Sequence, residues 1–490
     1  MEGKIAAQHD ETSLQQLEFP HIIEQIRQHL STPYGEEQLS GLLPLNKVEE
    51  IRKRLQEVDE MAALLEARHY IPLNGLVNIL PHLDKVKPEN AFLNPDALLE
   101  IKNTLKMFSE ISRCFKEHRE NCPALYFYAR GIHSHSQIVR AIESKIEDNG
   151  EIPDNASPEL RKIRIKLNKI AAEKKKILQQ AIKRYSEFSQ EEIVTLRDGR
   201  MVMGIKQNFV NKVNGIVHGT SGSGATVFVE PMEALQVGNQ IQNLKIEERT
   251  EIIKILRYIT GLVREVRHDL FYGIENIAVL DLIHAKAKLS VELQANLPHI
   301  SEKPVIKLIE ARHPLLILKT GHKNVVPLSL ELGNNFTTLV ITGPNAGGKT
   351  VAMKTVGLLI LMVQIGMPIP AHPDSEIPLL SGVLVDIGDR QSLEHDLSTF
   401  SAHIIRLSEI LKKANSESLV LLDEIGTGTD PREGSALAVA ILNRLLMMKV
   451  LTIATTHHGD LKAFAHSTPG AENASMQFNL KNLQPTYHLS

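Results

Sequence analysis

The sequence contains no tryptophan, and aromatic residues make up only 4% of its 490 positions. So low a share disfavours carbohydrate binders and antibody-like sandwiches, which recognise ligands through stacked rings. Cysteine is equally scarce. Two thiols, Cys114 and Cys122, cannot build a disulfide framework or a four-thiolate zinc site. They suit a reducing, cytoplasmic compartment. No sign of charge dominates, with 55 Lys and Arg against 58 Asp and Glu. The chain as a whole therefore has no electrostatic signature of a nucleic-acid binder, although charge can still be local. Long hydrophobic runs are missing too. The N-terminal MEGKIAAQHDETS has no apolar core of a signal peptide. The longest apolar stretch, 356–370, falls short of the roughly 20 residues of a membrane span and carries Gln364 and two prolines. It reads as a buried helix, and no membrane partner is expected.

What is present is enough apolar material, 42% of the chain, for several cores. At about 100–200 residues per domain the length allows two to four. Residues 1–150 read as helices, with amphipathic stretches at 14–30, 48–66 and 98–117 and breaks at Pro72, Pro81, Pro88 and Pro95. A segment rich in Asp, Asn, Pro and Gly follows at 147–158.

Next comes a long helix, 158–188, whose Leu160, Ile163, Leu167, Ile170, Ile177 and Ala181 follow coiled-coil spacing, interrupted at Lys174 and Arg184. The period then changes. IVTLRDGRMVMGIK and GIVHGTSGSGATVFVEP alternate and carry turn residues, so they read as strands. From Pro231 to about Tyr272 a second helix carries a matching seam of Ile241, Leu244, Ile252, Ile255, Ile259 and Leu262, broken at Glu248. Helix, small β tip and helix make an antiparallel hairpin arm. Within 158–184 there are ten Lys and Arg against two Glu. That run is either a solvated helix face or a contact to phosphate backbone, with Lys174, Lys175 and Lys176 as its densest cluster.

From about residue 303 strand-like runs at 338–342, 382–387, 419–422 and 450–455 alternate with helical ones, which predicts a mostly parallel sheet covered on both faces. Gly343, Pro344, Asn345, Ala346, Gly347, Gly348, Lys349 and Thr350 satisfy G-x-x-x-x-G-K-[ST] between an apolar strand and a helix. The glycines let backbone N–H groups close around phosphate oxygens, and the following helix adds its positive end. Lys349 supplies a cation for the β- and γ-phosphates, and Thr350 a hydroxyl for Mg²⁺. Further on, an apolar strand delivers Asp423 and Glu424. The first is placed to hold Mg²⁺ and the second to polarise the attacking water. Ser398 reads as the N-cap of a helix running to about Lys412. His457, at the end of the last of these strands, is within reach of a γ-phosphate.

The order of phosphate loop, Ser-led helix, apolar-Asp-Glu and strand-Thr-His is that of ABC-type ATPases. TGPNAGGKT, DLSTFSAH, LVLLDEIGTGTDPREG and ATTHH resemble the ATPase domain of the MutS family. ARHPLL at 311–316 and the two strand segments of the arm resemble its second bacterial branch, MutS-two. LSTFS in place of a transporter-type LSGGQ argues against a transporter subunit. His458 departs from the resemblance, because relatives commonly carry an aromatic there.

The resemblance implies a homodimer with ATP and Mg²⁺ at composite sites. Ser398 and Thr399 would contact the partner's ATP, Asp430 would sit in a loop crossing the interface, and His457 would sense the γ-phosphate. It implies a helical core or lever at 1–150, the clamp arm at 151–272, a return helix at 273–302 and the ATPase at 303–490. The mismatch-reading N-terminal domain and the C-terminal Smr nuclease domain are not expected, so no nuclease activity is expected either. Phe108 and Phe228, each in a Phe-x-Glu triplet, read as core residues. The implied function is an ATPase that clamps and releases double-stranded or branched DNA, or collided ribosomes. The alternative is a scaffold in which ATP acts as a slow switch.

Overall fold

The computed structural model describes residues 10–197, 200–344, 347–388, 396–427, 429–479 and 484–490. Helices come first: α1 (Glu11–Gln16), α2 (Phe19–Gln28), α3 (Gly35–Ser40), α4 (Val48–Glu66), α5 (Leu80–Lys85), α6 (Pro95–Glu117), α7 (Pro123–Ala129), α8 (Ser136–Glu143) and α9 (Pro158–Arg184). A strand group follows, β1 (Ser189–Arg197), β2 (Arg200–Lys206), β3 (Gly215–Thr220) and β4 (Thr226–Pro231), and then α10 (Met232–Glu265) and α11 (Arg267–Glu292). The rest alternates: β5 (His299–Ser301), β6 (Ile306–Ala311), α12 (Pro314–Thr320), β7 (Leu328–Leu332), β8 (Thr338–Thr342), α13 (Lys349–Gln364), β9 (Glu376–Pro378) and β10 (Gly382–Asp386). After these come α14 (Asp396–Lys413), β11 (Ser418–Leu422), α15 (Pro431–Met447), β12 (Leu451–Thr456), α16 (Gly459–Ser467), β13 (Ala471–Asn479) and β14 (Gln484–Leu489).

Contacts divide the chain into two compact units. The first comprises Met1–Leu76, Glu110–Ile132 and Tyr272–Ser490, and the second Val77–Ser109 and His133–Phe271. The division does not follow the expected segments. Residues below 150 are shared between both units, and most of them group with the C-terminal part.

The first unit is built on a six-stranded sheet in the order β10-β11-β12-β8-β13-β14. The described pairs are parallel up to β13, and β14 closes the sheet antiparallel. The strands are apolar on both sides because both faces are covered. Leu339 and Ile341 of β8, with Leu419 and Leu421 of β11, turn to one core, which also holds Met353, Val356, Leu358 and Leu361 of α13. Val340, Val420 and Leu422 turn to the other, against Leu407 and Ile410 of α14, Leu442 of α15 and Phe464 of α16. Residues 356–364 of the long apolar run lie in the buried helix α13, which ends at Gln364, before the run does, and among the described residues no helix is long and apolar enough to cross a membrane. A second sheet, β5-β9-β6-β7, carries Ala311 to the start of α12.

In the second unit α9 and α10 lie side by side in opposite senses. Ser157 meets Glu251 near one end, Arg164 meets Glu248, and Arg184 meets Glu233 near the other. Each seam interruption has a charged partner: Glu248 lies 2.7 Å from Arg164 Nε and Arg184 Nη1 2.6 Å from Glu233, both across the pair, while Lys174 Nζ lies 3.1 Å from Glu230 on β4. The connecting sheet, β1-β2-β4-β3, is antiparallel throughout, with Met203, Ile205, Val227 and Val229 packed against Ala181 and Ile182 of α9. The second long helix ends at Glu265 rather than near Tyr272, because Val266 leaves the helical ladder before α11 begins. Phe108 is fully buried. Phe228 is only half-buried and lies beneath Arg197, whose guanidinium carbon is 4.3 Å from the ring centre, so it is not a core residue.

Candidate functional site

The buried strand β8 ends at Thr342 and the chain turns sharply through Gly343, whose φ of 131° excludes residues with a side chain. Gly348, at φ 87°, caps α13 and accepts from Ala352 N–H through its carbonyl. A Cβ on Gly347 would stand 3.1 Å from Met476 of β13, and one on Gly348 would stand 3.0 Å from the Tyr487 ring. Close approach thus favours glycine at Gly347 and Gly348, and φ favours it at Gly343 and Gly348. Pro344 is exposed; Asn345 and Ala346 lie outside the described residues.

Lys349 opens α13, is 2% exposed, and folds back so that its ammonium donates to the Gly343 carbonyl. Burial pulls its pKa below the usual lysine value, while the Glu424 and Asp423 carboxylates pull it back up. Its Nζ is 3.4 Å from His457 Nδ1. The Thr350 hydroxyl donates to Asp423 Oδ2 at 2.6 Å.

The neighbouring strands complete the site. Asp423 N–H donates to the carbonyl of Asp386, at the end of β10, at 2.9 Å. The Thr455 hydroxyl donates to Asp423 Oδ1 and accepts from Glu424 N–H at 2.8 Å. Glu424 sits at φ 49°, a left-handed backbone that is unusual for a residue with a side chain. Its Oε1 is 3.6 Å from His457 Nε2. Lys349, Thr350, Asp423, Glu424 and His457 therefore converge in one place, as the motif spacing requires. A hydroxyl and a carboxylate side by side are the hard oxygen donors that suit Mg²⁺. Sequence reasoning missed Thr455. It was visible in ATTHH, but a β-branched residue in an apolar strand looks like filler.

Other expected residues lie elsewhere. α14 begins at Asp396, so Ser398 falls inside the helix and is not its N-cap; the side chains of Ser398 and Thr399 lie outside the described residues. Asp430 is exposed and caps α15, accepting from Arg432 N–H at 2.9 Å. His458 is half-buried at the start of α16, and its N–H donates to Thr456 Oγ1 at 3.1 Å. In the second unit Lys175 and Lys176 are exposed. Lys174 is not available to a phosphate: it is 5% exposed and committed to Glu230.

Beside Gly348 lies a mainly apolar cavity of about 240 Å³, lined in part by His313, Val325, Val351, Met476 and Tyr487. Burial pushes the His313 imidazole down to about 4, so the ring is neutral at physiological pH.

Residues 339–489 match the family model described as MutS domain V. The chain is 40% identical over 478 residues to a protein named Endonuclease MutS2 from Geobacillus sp. (strain WCH70), covering 96% of this chain and 60% of that one. It is 40% identical over 493 residues to Endonuclease MutS2 of Halothermothrix orenii, covering 98% and 61%. To Putative endonuclease MutS2 of Bacillus subtilis (strain 168) it is 39% identical over 481 residues, covering 97% and 61%. The chain thus spans about three fifths of the length of these relatives.

Proposed function

We propose that the chain, which matches MutS domain V over residues 339–489 and is similar to the MutS2 proteins along nearly all of its own length, is a MutS-family, Mg²⁺-dependent ATPase that works as a homodimer and uses ATP to clamp and release a nucleic-acid substrate. The observation that carries this reading is the convergence of Lys349, Thr350, Asp423, Glu424 and His457 around one glycine-lined loop. Lys349 would exchange the Gly343 carbonyl for β- and γ-phosphate oxygens. The cavity beside Gly348 would take the base, with Tyr487 and Val351 against its faces and edges. Thr350 and Asp423 would hold Mg²⁺, which when bound neutralises charge developing on the phosphates. Glu424 would orient the attacking water and accept its proton. His457, within reach of both Lys349 and Glu424, would register whether a γ-phosphate is present.

Ser398 and Thr399 on α14 and Asp430 at the exposed start of α15 would belong to the surface that meets the second copy and its ATP. Residues 151–272 would form the arm that grips phosphate backbone, with Lys175 and Lys176 among its contacts. Branched DNA and ribosomes both present that backbone, and the proposed activity of these 490 residues is ATP hydrolysis, not nuclease chemistry.

The test is Glu424→Gln. It should retain ATP and lose hydrolysis by about 100-fold or more, and so trap the complex for a pull-down that scores DNA against ribosomal RNA. Hydrolysis at the wild-type rate would overturn the assignment. Trapped ATP with unchanged substrate release would favour the slow-switch scaffold.

A further inference from the structure

Among the described strands β10 is the edge of the six-stranded sheet, and one row of its backbone groups faces away from β11. The N-terminal helix α1 covers that row with side chains. Val385 N–H donates to Ser13 Oγ at 2.9 Å, and Ile387 N–H donates to Gln16 Oε1 at 3.1 Å. The same helix is locked to α14. Arg406 forks onto Asp10, with Nη1 to Oδ2 at 2.8 Å and Nη2 to Oδ1 at 2.9 Å. Its Nε also donates to the Val385 carbonyl at 3.1 Å, and its Nη2 to Ser13 Oγ at 2.9 Å.

One turn nearer the start of α14, His403 Nδ1 lies 2.6 Å from Asp386 Oδ2. Asp386 in turn accepts the Asp423 amide through its carbonyl. Burial pushes the Asp10 carboxyl up, but the hydrogen bonds from Arg406 and Ser13 outweigh it and hold it at about 2. The fork is therefore charged throughout the physiological range. A bidentate Arg–carboxylate pair fixes direction as well as distance.

We propose that α1 is a positioning element of the ATPase: through Asp10 and Arg406 it sets where α14 presents Ser398 and Thr399 to the ATP of a second copy. This rests on the two-chain reading of the site given above. Ser398 is eight residues from Arg406, about 12 Å along α14. A small tilt at the anchor is therefore carried to the helix start, and misplacement on the order of 1 Å is costly to a catalytic contact. The chain's own phosphate loop, on β8 and α13, makes no part of this fork.

The inference separates a defect in trans from a defect in cis. Arg406→Lys keeps the charge and loses the fork. It should lower kcat by about tenfold while KM and the affinity for a fluorescent ATP analogue change less than about twofold. Mixed in equal amounts with Glu424→Gln chains, it should recover to about a quarter of the wild-type rate. A statistical mixture is half heterodimers, each with one site that pairs an intact phosphate loop with an intact α14. Asp10→Asn, which keeps shape and removes charge, should show the same split and the same rescue, so the outcome does not depend on Arg406→Lys folding.

Ser398→Ala mixed with Glu424→Gln is the control for the two-chain reading. If that mixture recovers and the Arg406→Lys and Asp10→Asn mixtures do not, the positioning role is overturned. If the Ser398→Ala mixture fails too, the two-chain site itself falls and this inference with it.

Discussion

The Thr350 hydroxyl donates to the Asp423 carboxylate across 2.6 Å, joining the first turn of α13 to the end of β11. The two are 73 residues apart in sequence, yet both come from the C-terminal mouth of a parallel sheet, where the loops that bind ligands gather. The hydrogen bond holds the two oxygens close enough to share a small hard cation. Thr350→Ala should leave nucleotide binding within about threefold but lower hydrolysis by about 100-fold and raise the Mg²⁺ concentration needed for half-maximal rate. Initial rates measured across a Mg²⁺ series decide it; an unchanged Mg²⁺ dependence would remove Thr350 from the cation site.

Thr455 is the residue that fixes both acids. One hydroxyl donates to the Asp423 side chain and accepts from the Glu424 amide, and it does so next to a Glu424 backbone held at φ 49°. Thr455→Val preserves shape in a fully buried position and removes both bonds. Each lost bond to a buried group costs about 1–3 kcal/mol, so kcat should fall by about 10- to 100-fold. Far-ultraviolet circular dichroism should remain that of the wild type. A variant with unchanged kcat would show that Thr455 is packing alone.

How far the sequence carried the reading depends on which physical constraint each residue answers to. The phosphate loop was legible because a backbone that curls around an anion demands glycine, and Gly343 and Gly348 do take the φ values other residues avoid. Strands β8, β10, β11 and β12 were legible as apolar runs to within about a residue or two at each end. Their order in the sheet was not, because strands buried on both faces look alike and carry no mark of their neighbours. The fork of Arg406 on Asp10 spans 396 residues, and no local pattern encodes a contact at that separation. Lys174 was visible as a flaw in the seam. Its answer, Glu230, sits on a strand, outside the helix pair whose spacing revealed the flaw.

Glu230 links α9 to the antiparallel sheet of the second unit. Its carboxylate is fully buried and meets Lys174 of α9 at 3.1 Å, Arg200 of β2 at 2.8 Å and His218 of β3 at 3.1 Å. Burial pushes its carboxyl up, yet the hydrogen bonds from Arg200 and Lys174 prevail and hold it below its ordinary value of 4.5. A carboxyl depressed in the folded state stabilises the fold at pH above its unfolded value, and that contribution is lost as pH falls through the folded one. The thermal stability of the second unit should therefore fall as pH is lowered below about 4.5. Glu230→Gln strands the buried Lys174 charge and should cost about 3–5 kcal/mol at neutral pH, with a flatter acid limb. Melts of both proteins across pH 3–7 test this; parallel acid limbs would mean that other carboxylates set the acid sensitivity.

The three adjacent lysines of α9 separate grip from scaffold. Lys175 and Lys176 are exposed, whereas Lys174 turns inward to Glu230. Charge that touches nucleic acid releases counterions on binding, and each phosphate contact adds about 0.9 to the slope of log affinity against log salt. Lys175→Glu with Lys176→Glu should therefore weaken binding of a labelled duplex and reduce that slope by about 2, with no change in melting temperature beyond about 1–2 °C. Lys174→Met should do the opposite, lowering the melting temperature because the buried Glu230 loses one of its cationic partners, while leaving the salt slope as it was. Fluorescence anisotropy between about 50 and 200 mM salt reads both. If the exposed pair leaves the slope unchanged, the basic run on α9 is a solvated face. If Lys174→Met lowers the slope as the double mutant does, its ammonium must leave Glu230 when the duplex binds.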